Sequence, residues 1–171
     1  MINFKSLFPF FVCFLVLSPI DILYAEEKDI VGWVEKVKVY PADLMFIAKL
    51  DTGARSSSIN AKNIEEFERN GELWVRFDVV NRKGTRKTVE LPQIREAKIK
   101  RHFGKRQHRP VVLLGVCLGK TYQETQVSLV DREGFLYPLL IGRSFIKNAF
   151  IVDPSLQYTT QPHCPKPDNN E

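Results

Sequence analysis

Histidine is scarce in this chain. Three occur, His102, His108 and His163, and none stands in the His-Glu-x-x-His pattern that sets two imidazoles and a carboxylate around zinc. His102 and His108 sit among basic residues and read as solvated loop side chains, so no metal ligand set is expected. Cysteine is equally rare, with three residues, which excludes a disulfide-dense scaffold. No phosphate loop is complete either. Gly115-Val116-Cys117-Leu118-Gly119-Lys120-Thr121 is one residue short between its glycines, and residues 121–130 alternate like a strand instead of opening a helix. That stretch reads as a hairpin turn, so neither zinc nor ATP dependence is expected, and no cofactor. The chain shows no internal repeat.

Long apolar runs are confined to the N-terminus. Residues 1–25 carry one lysine, Lys5, then the apolar stretch from Leu7 to Leu17, and end in Leu23-Tyr24-Ala25 before Glu26-Glu27-Lys28. The stretch is interrupted by Pro9 and falls short of the ~20 apolar residues that span a bilayer, so it reads as a cleavable secretory signal and not a retained anchor. Export to the periplasm or medium is expected. Cleavage leaves 146 residues, enough for one domain, and keeps the net charge at +5, which favours acidic partners. Cys117 and Cys164 survive cleavage in a compartment that permits disulfides. They either pair or remain a buried small hydrophobe and a loose thiol, because sequence alone carries no distance.

The region 26–153 reads as one domain of short strands separated by turn residues. Trp33, Val37 and Val39 punctuate a first strand, residues 46–50 form a second, and 56–61 a third. Residues 64–69 are expected to make one helical turn, closed by Asn70-Gly71. Leu73, Val75, Phe77 and Val79 then alternate with polar neighbours, a strand with one apolar face. Further strands are expected at 85–91, 110–118, 121–130, 135–141 and 150–153, with a short helix starting near Ser144. Residues 154–171, with four prolines among polar residues, are expected to form a loosely held tail.

One motif carries chemistry. The apolar run 46–50 feeds Asp51-Thr52-Gly53-Ala54, and a second apolar run far downstream ends in Gly142-Arg143. A carboxylate on a tight loop, a small hydroxyl beside it and a glycine that permits close approach of substrate are what half of an aspartic-peptidase site requires. The same letters also make an ordinary turn between strands. The motif occurs once, and Asp78, Asp131 and Asp153 lack its context. Two carboxylates sharing a proton would therefore have to come from two chains, each supplying Asp51 across a twofold axis.

In this order of elements the chain resembles a retroviral-type aspartic peptidase domain. More closely, it resembles the bacterial retropepsin-like family often labelled an ATP-dependent zinc protease. The matching stretches are residues 32–35, 49–61, 74–77, 109–111, 137–143 and 152–154. The resemblance implies an all-β fold, a single closed retropepsin-like barrel with one short helix after Gly-Arg. It implies Asp51, Thr52 and Gly53 as the catalytic loop, Ala54 and Arg55 at the substrate, and Gly142 and Arg143 as structural support beneath it. Retroviral enzymes carry an acidic residue where this chain has Arg55. Arg143 then needs another partner, for which Glu35 is the candidate, and Arg55 is either a positive charge at the cleft edge or a solvated side chain.

Residues 94–109 would form the flap over the substrate. They hold Arg95, Lys98, Lys100, Arg101, Lys105, Arg106 and Arg109 against Glu96 alone, a net +6. Such a run is either a solvated face or a guide for acidic peptide, with Lys98, Lys100, Lys105 and Arg106 as the substrate-facing candidates. Some relatives implied by the resemblance process oligoglutamate tails, which agrees in sign. The expected function is an exported aspartic endopeptidase favouring acidic, possibly Glu-rich, peptide or protein and working as a homodimer. The alternative is a catalytically silent module that binds peptide or anionic polymer. Phe103 is the only aromatic in the basic segment, so nucleic acid is not an expected partner.

Overall fold

The computed structural model describes residues 27–99 and 107–165. The segment expected to be a secretory signal and the expected flap residues Lys100, Lys105 and Arg106 therefore lie outside the described residues. Ten strands and one helix follow in chain order: β1 (Asp29–Tyr40), β2 (Leu44–Asp51), β3 (Ser57–Arg69), β4 (Glu72–Val80), β5 (Arg86–Pro92), β6 (Arg95–Ile99), β7 (Gln107–Leu118), β8 (Thr121–Val130), β9 (Leu139–Gly142), α1 (Arg143–Ala149) and β10 (Phe150–Gln157). The all-β barrel with one short helix after Gly142 matches the expectation.

Strand pairing closes a ring. The order β1-β2-β9-β3-β8-β7 returns to β1 through Lys38↔Cys117, Val39↔Val116 and Tyr40↔Gly115, giving a six-stranded barrel. The interior follows from the two-residue period of the strands. On β2, Leu44, Phe46, Ala48 and Leu50 point into the core while Met45, Ile47, Lys49 and Asp51 point away. Ile59, Val112, Leu114, Val127, Leu129 and Ile141 complete the same core, and α1 closes it by burying Phe145 and Ile146. Closure leaves few unpaired backbone groups inside, so the strand ends that emerge from the ring are held rigidly.

Three expectations change. Residues 64–69 are not a helical turn but the outer half of β3. Asn63 takes a positive φ of 49°, the register shifts there, and the strand continues against β4 through Phe67↔Trp74 and Arg69↔Glu72. The guanidinium of Arg69 stacks on Phe67 and Trp74, which rewards the extended pairing. Residues 135–138 stay outside the sheet, with Phe135 and Leu136 about 60% exposed, and only Leu139–Gly142 forms a strand.

The third change concerns the expected tail. β10 runs through Pro154 to Gln157 in parallel pairing with β1. Residues 158–165 are then tied down: Tyr158 N donates to Val34 O, His163 N donates to Gly119 O, and Cys164 forms a disulfide with Cys117. Residues 166–171 lie outside the described residues. The stretch Gly115–Thr121 is the β7–β8 hairpin with Gly119 at φ +57°, as read from the sequence.

Candidate active site

Asp51 is the last residue of β2 and lies opposite Gly142, the last residue of the parallel strand β9. The chain leaves the barrel there, so the carboxylate stands on a loop anchored by two paired strands. Gly53 N and Ala54 N both donate to Asp51 Oδ1, at 3.0 and 3.1 Å. Among the described residues no hydrogen bond reaches Oδ2, and Lys49 Nζ stands 3.8 Å from it. One oxygen is thus held as an acceptor by backbone amides, and the other accepts no hydrogen bond among the described residues.

The loop is held from beneath by α1. Arg143 Nη1 donates to Thr52 O at 3.0 Å and Gly53 O at 3.2 Å, while Arg143 N donates to Ala54 O and Ser144 N to Arg55 O. Gly142 makes this approach possible. A Cβ there would stand 2.6 Å from Ser56 C and 2.7 Å from Ser56 O, so no larger residue fits without moving the loop. Gly142 N also donates to the buried Ser57 Oγ. Gly142 and Arg143 thus both lie against the backbone of residues 52–56. Thr52, Gly53 and Arg55 are exposed and Ala54 is half-buried.

Arg143 does not pair with Glu35. It spends its guanidinium on two carbonyls, and Glu35 is fully buried elsewhere. Glu35 Oε1 accepts from Gly32 N, Thr159 N and Thr159 Oγ1, and Oε2 accepts from Thr160 N. A buried carboxylate needs such a set of donors, and β1 and the C-terminal segment supply it locally. The sequence held no sign of this, because apart from Gly32 N the donors belong to Thr159 and Thr160, about 125 residues away.

Arg132 is a further residue that motif reading missed. It is half-buried, donates to Ser58 Oγ at 3.0 Å and Tyr137 O at 3.1 Å, and lies 4.4 Å from the Phe135 ring. Burial pushes its guanidinium below the usual value, the positive charge of Arg109 adds to that, and the charge of Asp51 opposes it. Arg132 thus ties the 131–138 loop to β3 just beyond the Asp51 loop. Only its position at a strand end hinted at this.

Two concavities adjoin the loop. A groove of about 940 Å³ runs between β6 and the start of α1, with Arg55, Arg95, Lys98, Leu113 and Ser144 in its lining. Arg55 and Lys98, far apart in sequence, come together in it. A second cavity of about 570 Å³ is lined by Trp33, Lys49, Leu50, Asp51, Thr52, Val152 and Pro154. Glu96, the one acid of the basic segment, pairs with His108 Nδ1 at 2.7 Å. Among the described residues no group of three or more His, Cys, Asp or Glu side chains is arranged to hold a metal ion. Among them, too, no helix is long and apolar enough to cross a membrane.

Comparison with known proteins agrees with this geometry. A family model described as RimB-like, retropepsin-like aspartic endopeptidase RimB, matches residues 30–163. A crystal structure of a protein of unknown function from Legionella pneumophila is 40% identical, with a TM-score of 0.69, over 79% of this chain and 100% of that one. Two proteins named probable alpha-L-glutamate ligase are also similar. The one from Shewanella pealeana is 36% identical over 63% of this chain, and the one from Desulfotalea psychrophila is 35% identical over 64%. The match spans only 24% of each of those ligases.

Proposed function

The chain belongs to the RimB-like family of retropepsin-like aspartic endopeptidases, and from that premise we propose that it is an exported aspartic endopeptidase whose two catalytic carboxylates are the Asp51 residues of a homodimer. The presentation of Asp51 carries the reading: Oδ1 is locked by two loop amides, Oδ2 accepts no hydrogen bond from the described residues, and the residue lines a cavity. Each chain has one Asp-Thr-Gly, so a second carboxylate comes from a second chain.

Two such carboxylates in contact cannot both ionise, and they share one proton. The ionised one takes a proton from a water molecule as the water oxygen bonds to the scissile carbonyl carbon. The protonated one donates to the carbonyl oxygen, giving a neutral tetrahedral diol. The carboxyl that took the water proton then gives it to the amide nitrogen while the other carboxylate takes a proton from a diol hydroxyl, which breaks the C–N bond, releases acid and amine, and restores the shared-proton state. Thr52 braces the paired loops, and Gly53 leaves room for the substrate backbone.

Acidic peptide is the substrate class that suits Arg55, Arg95 and Lys98 around one groove. The names of the ligase relatives concern glutamate, which agrees in chemistry. Export is supported by the N-terminal signal pattern and by the Cys117–Cys164 disulfide. The test is cleavage of a peptide library by purified protein beside Asp51→Asn, which keeps shape and removes the ionisable group. Loss of turnover by at least about a hundredfold with an unchanged fold is expected. Undiminished turnover by a folded Asp51→Asn protein would sink the mechanism, and binding without cleavage by the wild type would favour a silent peptide-binding module.

A further inference from the structure

Lys49 stands two residues before Asp51, and the period of β2 puts both side chains on the outward face of the strand. Its ammonium is 3.8 Å from Asp51 Oδ2, at the outer limit of an ion pair, and its side chain is 43% exposed. Among the described residues it makes no hydrogen bond. The residues opposite it on the neighbouring strands, Val34 on β1 and Leu140 on β9, are apolar and supply no competing carboxylate. The three donors of the ammonium are therefore left for something else.

The cavity beside Asp51 indicates what that is. Trp33, Leu50, Val152 and Pro154 form its apolar walls, and Lys49 is the one cation among its lining residues. With its side chain 43% exposed, the ammonium is partly screened by water and discriminates by charge to a modest degree. It also stands 3.8 Å from the carboxylate that would activate the attacking water.

We propose that Lys49 is a specificity-determining residue that receives the carboxylate of an acidic side chain flanking the scissile bond. The inference rests on the peptidase reading of Asp51 and deepens it, since Lys49 shares a cavity with Asp51 whereas the cations Arg55, Arg95 and Lys98 line a separate groove. In a twofold dimer the partner repeats Lys49 on the other side of the dyad, so the residues on both sides of the cut are selected. Lys49 also offsets the negative charge of the dyad, which would otherwise repel an acidic residue at that position.

The experiment uses the mature protein and a set of internally quenched peptides rich in glutamate, with cleavage points mapped by mass spectrometry. Each residue flanking the mapped cut is then replaced by glutamine, and kcat/KM is measured for the wild type, Lys49→Met and Lys49→Arg. The wild type is expected to prefer glutamate over glutamine at the flanking positions by about three- to tenfold, the range for one partly exposed charge pair. Lys49→Met loses this ratio, Lys49→Arg retains it, and preferences at more distant positions persist in both. A purely structural role would instead lower the rates for both peptides of a pair equally and leave the ratio intact. An intact ratio in Lys49→Met, or a wild type indifferent to the flanking residues, overturns the inference while leaving the peptidase reading standing. Wild-type protein as inert as Asp51→Asn on every peptide overturns both. Should Lys49→Met fail to fold, Lys49→Gln replaces it under the same criteria.

Discussion

Asp51, Glu35, Asp78 and Arg143 show how differently four charged side chains are used at the scale of the residue. Arg143 contributes geometry: two hydrogen bonds to the carbonyls of Thr52 and Gly53 fix the loop that carries Asp51. Arg143→Met is expected to cost about 1–2 kcal/mol in urea unfolding and to lower kcat more than it changes KM, because the carboxylate loses its orientation. An unchanged kcat would show that the loop holds itself. Asp78 is buried and accepts from Thr88 Oγ1, Asn63 Nδ2 and Arg86 Nη1. The Thr88 hydroxyl does most to hold its carboxyl below the usual range, Asn63 and Arg86 add to it, and burial opposes them. A carboxyl depressed in the folded state stabilises the fold fully above its unfolded pKa, and that contribution is lost as pH falls through the lower folded value. Thermal melts from about pH 6 to pH 2 should show a shallower acid limb for Asp78→Asn than for the wild type. Identical limbs would contradict the assignment. Asp51 was visible in the sequence because its motif is contiguous. Lys49 stood two positions away in plain view, but only the strand period and the cavity give it a partner.

At the scale of the element, two devices shape the site. The first is the close crossing of β9 over the start of β3. Gly142→Ala places a methyl group 2.6 Å from the Ser56 backbone and is expected to destabilise by about 1–3 kcal/mol and to displace the Asp51 loop. Unaltered activity and melting would show that the crossing relaxes freely. The second is the strap of residues 158–165, fastened at one end by the carboxylate of Glu35 and at the other by the Cys117–Cys164 disulfide. The disulfide spans 47 residues, for which chain-entropy reasoning gives about 4 kcal/mol as an upper expectation. Reduction, or Cys164→Ser, should lower unfolding free energy by roughly 2–4 kcal/mol while far-UV dichroism still reports the strands. The hairpin β7–β8 and the helix after Gly142 were legible, because Gly119-Lys120 and the break in apolar periodicity are local signals. The strap and the outer half of β3 were not. Proline-rich polar sequence reads as loose, and alternation is absent where Glu65, Glu66 and Glu68 face water on both sides.

At the scale of the whole molecule, the closed barrel presents one Asp-Thr-Gly loop, which the proposed mechanism pairs with that of a second chain. Mixing the wild type with excess Asp51→Asn is expected to suppress activity beyond dilution, since mixed dimers would hold one carboxylate. Activity strictly proportional to wild-type chains at every ratio would refute dimeric catalysis. The sequence by itself determined the succession of short strands, the loop that carries Asp51 and the basic character of residues 94–109, because each is written in contiguous residues; the closed barrel was implied only by the family resemblance. Tertiary structure decided the partners. Arg143 meets loop carbonyls, Glu35 meets the C-terminal strap, Cys117 meets Cys164, and Arg55 and Lys98 line one groove. Those choices depend on which strands become neighbours when the ring closes, and ring closure is a property of long-range pairing that no local pattern encodes.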